Sequence, residues 1–412
     1  MVSIEEARRR ILAQVRPIGT EKVDILSAVG RVLAKDIKSA LNMPPFDNAA
    51  MDGYAVISKD TKGASPGNPR VLKILEDLPA GAVPKFRVTP GTTSQIMTGA
   101  QMPKGADAVM MVEDTRRSGD KVNVLCEIKP KKNVRFAGED FKKGKIVLRK
   151  GTLLRPPHLS ALATQGIKEV PVYRRPRVAI LSTGSELIDI KQPLRPGKIR
   201  ESNSYSLFAQ VLSLNAEPIL LGIAGDREKD LRRHITGGLK KADVLLTSGG
   251  VSVGKYDMVK DVLKDLGMKL HFWQVAVKPG KPLMFGTINK HPIFGLPGNP
   301  VSSMVSFENF VRPALLKLMG RQDLFRPPVK AILTHKIKKK AGRREYQRGL
   351  VEVRQGKLYV SSAGDQGSAN LQAILSANCF IILPEEVTVA EPGQEVSVEM
   401  IDRPGFSGSI RG

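Results

Sequence analysis

At 412 residues the chain is too long for one ordinary core, which implies about two to four domains. Its 41% hydrophobic and 25% charged residues describe a soluble globular protein and exclude a disordered or fibrous one. An excess of 65 basic over 40 acidic residues gives a formal charge of +25, which attracts anions of many kinds without choosing among them. Cys126 and Cys379 are far apart and form no CxxC pair, so neither a disulfide framework nor a thiolate zinc site is expected. The opening MVSIEEARRRILAQV carries acids and arginines where a signal peptide would be apolar, and no run of about 18 apolar residues occurs. A cytoplasmic protein without a membrane span is expected.

In chain order, Ser3 and Glu6 form a capping-box pattern, and Ile4, Ala7, Ile11, Leu12 and Val15 recur at helical spacing. Short β-like runs broken by Gly and Pro fill residues 55–130. GTLLRPPHLSALATQG returns to helix signals, with Pro156 and Pro157 at its start and Gly166 at its end. From Arg177 to about Gly320, apolar strands alternate with helical stretches, the pattern of a parallel sheet covered on both faces. Beyond FRPP the tail returns to short strands and turns. Ligands of such α/β sheets sit at the carboxyl ends of strands.

Four loops stand at those ends. STGSEL (182–187) offers amides, hydroxyls and the Glu186 carboxylate; the plain alternative is a strand-to-helix turn with Glu186 in a first helical turn. In TSGGVSVGKYD (247–257), Gly249, Gly250 and Gly254 alternate with Ser248 and Ser252, letting backbone amides approach an anion; Asp257 suits a helix cap as well as a ligand. VKPGKP (277–282) sets Lys278 and Lys281 three apart, each before a proline that stiffens the corner. Lysine is a compact point charge suited to a tetrahedral oxyanion, although solvated lysines in a β-turn are common. GLPGNPVS (295–302) runs from a turn into a helix start, an anion seat unless Asn299 or Ser302 simply caps it. Together these loops favour a phosphate- or oxyanion-bearing ligand. Carboxylates such as Asp47, Asp52, Glu139, Asp140 and Asp226 suit capping, or a hard cation such as Mg²⁺ beside an anion. His158, His234, His271, His291 and His335 show no ligand pairing.

These loops, with PPFDNAAMDGYAV (44–56), IMTGAQMPKGADAVMMVE (96–113), NVRFAGED (133–140) and ANCFIILP (377–384), resemble in order the molybdopterin molybdenumtransferase family, which includes the gephyrin E domain. The resemblance implies multidomain α/β plus β architecture. Its parts are a split elongated helical dimerisation domain (1–45 and 130–175), an inserted mostly β domain (46–129), a three-layer α/β molybdopterin-binding domain with a mostly parallel sheet (176–322), and a barrel-like C-terminal β domain (323–412). It implies a transferase that inserts molybdate or tungstate into adenylylated molybdopterin and releases AMP with Mg²⁺ assisting. On that pattern Glu186, Asp226, Asp257 and Lys278 are the catalytic residues, and the three carboxylates hold the cation. Lys278, Lys281, Ser302 and Arg348 grip the oxyanion, while Thr183, Gly184, Ser248, Gly249, Gly250, Ser252, Pro297, Gly298 and Asn299 bind the pterin nucleotide.

Asp52, Thr98 and Asp140 resemble the residues offered across a homodimer interface. Further partners implied are the molybdopterin adenylyltransferase and recipient molybdoenzymes. Two departures touch the oxyanion site: Gln274 where the family carries a basic residue, and Gln372 and Ala373 where it often has serines. A non-catalytic gephyrin-like scaffold or pterin- and anion-binding protein is the alternative. Low aromatic content and the lack of a recognition motif argue against nucleic acid, although HKIKKKAGRREYQR (335–348) is strongly basic.

Overall fold

The computed structural model describes residues 1–250 and 258–402. A six-stranded sheet lies at its centre: β1 (Arg177–Thr183), β2 (Glu217–Ala224), β3 (Val244–Ser248), β4 (Lys269–Gln274), β5 (Pro282–Ile288) and β6 (His291–Leu296). Their spatial order is β2-β1-β3-β6-β5-β4. The first four in that order are parallel, but β5 runs antiparallel to both β6 and β4. An all-parallel sheet fails here because Asn289 and Lys290, both at positive φ, close a two-residue hairpin between β5 and β6. One face is covered by Leu207 and Val211 of the helix Asn203–Ser213 and by the long helix that begins at Pro300. The other takes Leu231 and Ile235 of Glu228–Lys241, with Val259 and Leu263 of Met258–Asp265. The long helix passes through a π-helical stretch, Phe307–Val311, just ahead of Pro313, whose ring nitrogen has no proton to donate.

The opening helix Ile4–Gln14 buries Ile4, Ala7 and Ile11 in this central core, where Arg8 donates to the Asn309 side-chain oxygen at 2.7 Å. Ser3 Oγ accepts from the Glu6 amide, but the Glu6 carboxylate binds Arg9 and Arg10 instead of completing the capping box. Segments on either side of the inserted module pair with one another: Thr20–Asp24 with Glu169–Tyr173, Ile37–Lys38 with Ile146–Leu148, and Asn48–Ala49 with Val134–Arg135. That split unit carries one α-helix of its own, Pro156–Thr164, among its described residues. The inserted module is a six-stranded sheet spanning Gly53 to Val124.

In the C-terminal domain the strand Arg344–Arg354 pairs with both Lys357–Ser362 and Cys379–Leu383. Val329–Leu333 and Glu395–Met400 complete a closed five-stranded ring. The start of Arg344–Arg354 also runs parallel to Val277–Lys278, opposing Glu345 to Lys278 and tying the barrel to the lysine corner.

Candidate active site

The carboxyl ends of β1, β3 and β6 open onto a cavity of about 540 Å³. Of the residues marked on sequence, Thr183, Glu186, Ser248, Gly249, Pro297, Gly298 and Asn299 line it. The glycines are there for steric reasons. Gly249 lies at φ +86°, and a Cβ on it would stand 2.4 Å from the Thr183 carbonyl oxygen. Gly250, at φ +65°, has Val259 and the Thr183 hydroxyl in the space a Cβ would need. The Gly249 amide donates to the Leu296 carbonyl at 3.1 Å, joining the β3 and β6 loops. STGSEL does not lead into a helix: Leu187–Ile188 pairs in parallel with Ile199–Arg200, and the next helix starts at Asn203. Glu186 is therefore no first-turn acid; its carboxylate folds over Gly184, leaving 2.6 Å to a Cβ there.

Asp226 lies in an adjoining cavity with Arg227 and Lys229, and its carboxylate accepts from the Ser185 amide at 2.9 Å. The two acids thus flank one turn. Among the described residues no three His, Cys, Asp or Glu side chains gather as a metal cage. Ser252 and Asp257 lie outside the described residues.

The lysine corner packs beside the cavity. Pro282 lines it, whereas Lys278 and Lys281 are exposed and are not among its lining residues. At Gly280 (φ +108°) a Cβ would meet Ser306 Oγ at 2.6 Å, so the corner sits directly on the helix Pro300–Ser306. Ser302 is buried at the start of that helix, and the hydroxyls of buried Ser303 and Ser306 have no partner. Asn299 does not cap the helix; its amide donates to Ser368 Oγ at 2.9 Å, while the Ser368 carbonyl accepts from the Val301 N–H.

Arg348 is almost fully buried, donating to the carbonyls of Asp365 and Gly367 at 3.2 and 3.0 Å and leaving Nε without a partner. Burial pulls its pKa below the ordinary arginine value. A guanidinium in that state has unused capacity for an anion. Of the departures, Gln372 and Ala373 belong to the helix Leu371–Ser376, which Asn370 caps, and Gln274 ends β4.

Several residues of the site went unmarked on sequence. Asn203 lines the cavity, nearly buried, and spends both amide hydrogens at 2.7 Å on Ser248 Oγ and the Gly298 carbonyl. Buried Glu201 accepts from Ser182 and Ser204. Gln366 grips both backbone groups of Arg348. Only the polar run ESNS ahead of an apolar helix hinted at the first two. Asp52, Thr98 and Asp140 are exposed. Asp52 accepts from the Thr98 hydroxyl and amide at 2.6 and 2.7 Å, which holds its pKa below the ordinary value, and Asp140 binds Arg135 at 2.9 Å.

Fold and cavity together define a multidomain α/β plus β protein with a cavity at its strand ends, where such sheets place their ligands. Residues 2–166 match the MoeA N-terminal region (domain I and II), 179–317 a probable molybdopterin binding domain, and 330–401 the MoeA C-terminal region (domain IV). The molybdopterin molybdenumtransferase of Haemophilus influenzae is 39% identical over 97% of this chain and 98% of its own. Its namesake in Nostoc sp. is 40% identical over 92% and 88%. The crystal structure of the molybdopterin biosynthesis moeA protein from Pyrococcus horikoshii OT3 superposes with a TM-score of 0.84 at 38% identity, covering 97% of this chain and all of that one. The chain belongs to the molybdopterin molybdenumtransferase family.

Proposed function

We infer that this chain transfers molybdenum from molybdate, or tungsten from tungstate, to the dithiolene of adenylylated molybdopterin, with release of AMP. What carries the reading is the convergence of loops remote in sequence, from 183–186, 248–249 and 297–299, on one cavity in a chain of this family. Lys278, Lys281 and the buried Arg348 supply the positive charge for a tetrahedral dianion, and the buried serines at the head of the helix supply neutral donors. Soft dithiolene sulfurs then take the metal. The Gly249–Gly250 and Gly298 turns admit the pterin nucleotide close to the backbone.

Glu186 and Asp226 fit a Mg²⁺ ion by donor chemistry: both offer hard carboxylate oxygens, and Ser185 occupies only one oxygen of Asp226. When bound, Mg²⁺ would screen the phosphoanhydride charge. Two copies of the chain would pair so that Asp52, Thr98 and Asp140 face the neighbouring subunit's cavity. Phe46, Met51 and Phe136, exposed on the same loops, favour such burial. In this reading the protein acts in the cytoplasm, after the adenylyltransferase and before the recipient molybdoenzymes. The test is AMP release from adenylylated molybdopterin as molybdate is titrated. Lys278→Ala should cut the rate at limiting molybdate by about tenfold or more while leaving pterin-nucleotide binding intact. Loss of nucleotide binding with a normal molybdate response would overturn this division of the site.

A further inference from the structure

Glu345 reaches the lysine corner from another domain, and neither its sequence context nor the oxyanion reading required it. It is only 3% exposed, yet it opposes Lys278 across the parallel pairing of Val277–Lys278 with the barrel strand. Its two oxygens are divided: Oε1 takes the Lys278 ammonium at 3.0 Å and Oε2 the Gln347 side-chain amide at 3.0 Å. The strand pairing does not need this ion pair, because the Arg344 amide already donates to the Ala276 carbonyl at 3.1 Å. Withdrawing a carboxylate from water is costly. Placing it beside the group that must hold an anion adds repulsion toward the ligand.

Resting on the oxyanion reading of the site, we propose that Glu345 is a specificity-determining counter-charge that shares the Lys278 ammonium with the incoming oxyanion and so tempers its affinity. In the free protein Glu345 offsets one positive charge of the Lys278–Lys281–Arg348 set. The arriving anion draws the half-exposed ammonium toward itself, and Gln347 retains the carboxylate in place. The penalty scales with ligand charge: a tetrahedral dianion feels it about twice as strongly as a tetrahedral monoanion of similar size.

The test is calorimetric titration of the full chain with molybdate and with perrhenate, using variants confirmed as folded by thermal melting. Glu345→Gln keeps the shape and removes the charge. It should tighten molybdate binding about five- to tenfold and perrhenate about two- to threefold. Gln347→Met removes the amide that draws on Oε2, strengthens the hold on Lys278, and should weaken molybdate about two- to threefold. Structural damage would weaken binding in both variants, so the opposite signs identify the counter-charge. Weaker or unchanged molybdate binding in Glu345→Gln, or equal gains for both anions, overturns the proposal. Should Glu345→Gln fail to fold, unchanged or tighter binding in Gln347→Met does the same. If Lys278→Ala abolishes molybdate binding while Glu345→Gln leaves it unchanged, only this inference falls; if neither variant changes it, the oxyanion reading falls as well.

Discussion

Two glycines in neighbouring loops meet very different surroundings. Gly249 is held at φ +86° with the Thr183 carbonyl 2.4 Å from where a Cβ would sit, so alanine there must move backbone rather than a flexible side chain. At Gly298 the nearest atom to an added Cβ is the Gly249 Cα, an ordinary contact at 3.8 Å. Gly249→Ala should therefore cost about 2 kcal/mol of stability through left-handed strain and the clash. The shift would separate the β1 and β3 ends that form the cavity wall, so pterin-nucleotide binding should fall with it. Gly298→Ala should leave stability within about 0.5 kcal/mol of the starting protein. Denaturant unfolding of the two variants side by side checks the contrast, and equal losses would show that the turn is not strained as described.

The elements that carry these loops are fastened at their far ends as well. Asp243, just ahead of β3, accepts from both Nη atoms of Arg174 at 2.7 and 3.0 Å and from the Arg177 amide at 2.7 Å. Burial pushes this carboxyl up, but hydrogen bonds from Arg174 and Arg177 and the charge of both arginines outweigh it, and the net pKa lies below the ordinary aspartate value. A carboxyl depressed in the folded state contributes stability above the unfolded pKa of about 4 and loses it as pH falls toward the folded value. Asp243→Asn should cost about 2 kcal/mol near neutral pH. The gap to the starting protein should close in unfolding titrations run below about pH 4. A gap that persists in acid would mean the loss is steric.

Such long-range fastenings mark the limit of what the sequence conveys. The apolar runs of β1, β3 and β6 and the glycines Gly249 and Gly250 of the β3 loop are local signals, and the structure puts them where period and turn chemistry require. The β5–β6 hairpin was legible in principle, since Asn289 and Lys290 join two apolar runs at two-residue spacing, but the Asn-Gly signature was missing. Barrel closure pairs Val329 with Val398, and the meeting of Lys278 with Glu345 joins residues 67 apart in sequence; no periodicity encodes either. Asn203 was obscure for a similar reason: a polar residue opening a helix is usually a cap.

Across the whole molecule, part of the basic excess is engaged in ion pairs between distant segments. Within 335–348, Lys336 pairs with Glu391, Arg344 with Glu5 and Glu385, and Arg348 is buried against the Asp365 and Gly367 carbonyls. Those partners take up part of the tract's charge, while Lys338 and Lys340 stay exposed; the exposed pairs that a neighbouring subunit would meet are Asp52–Thr98 and Asp140–Arg135. If Asp140 serves the neighbouring subunit's cavity, a dimer of Asp140→Ala with Lys278→Ala places both defects in one site and leaves the second site intact. Random pairing of equal amounts of two such subunits gives intact sites in about a quarter of all positions. At limiting molybdate each variant alone should release AMP at about a tenth of the starting rate or less, and the co-refolded mixture should recover about a quarter of that starting rate per subunit. Light scattering at twice the chain mass is the accompanying requirement. A mixture no more active than its components would place Asp140 with its own subunit's site, or with none.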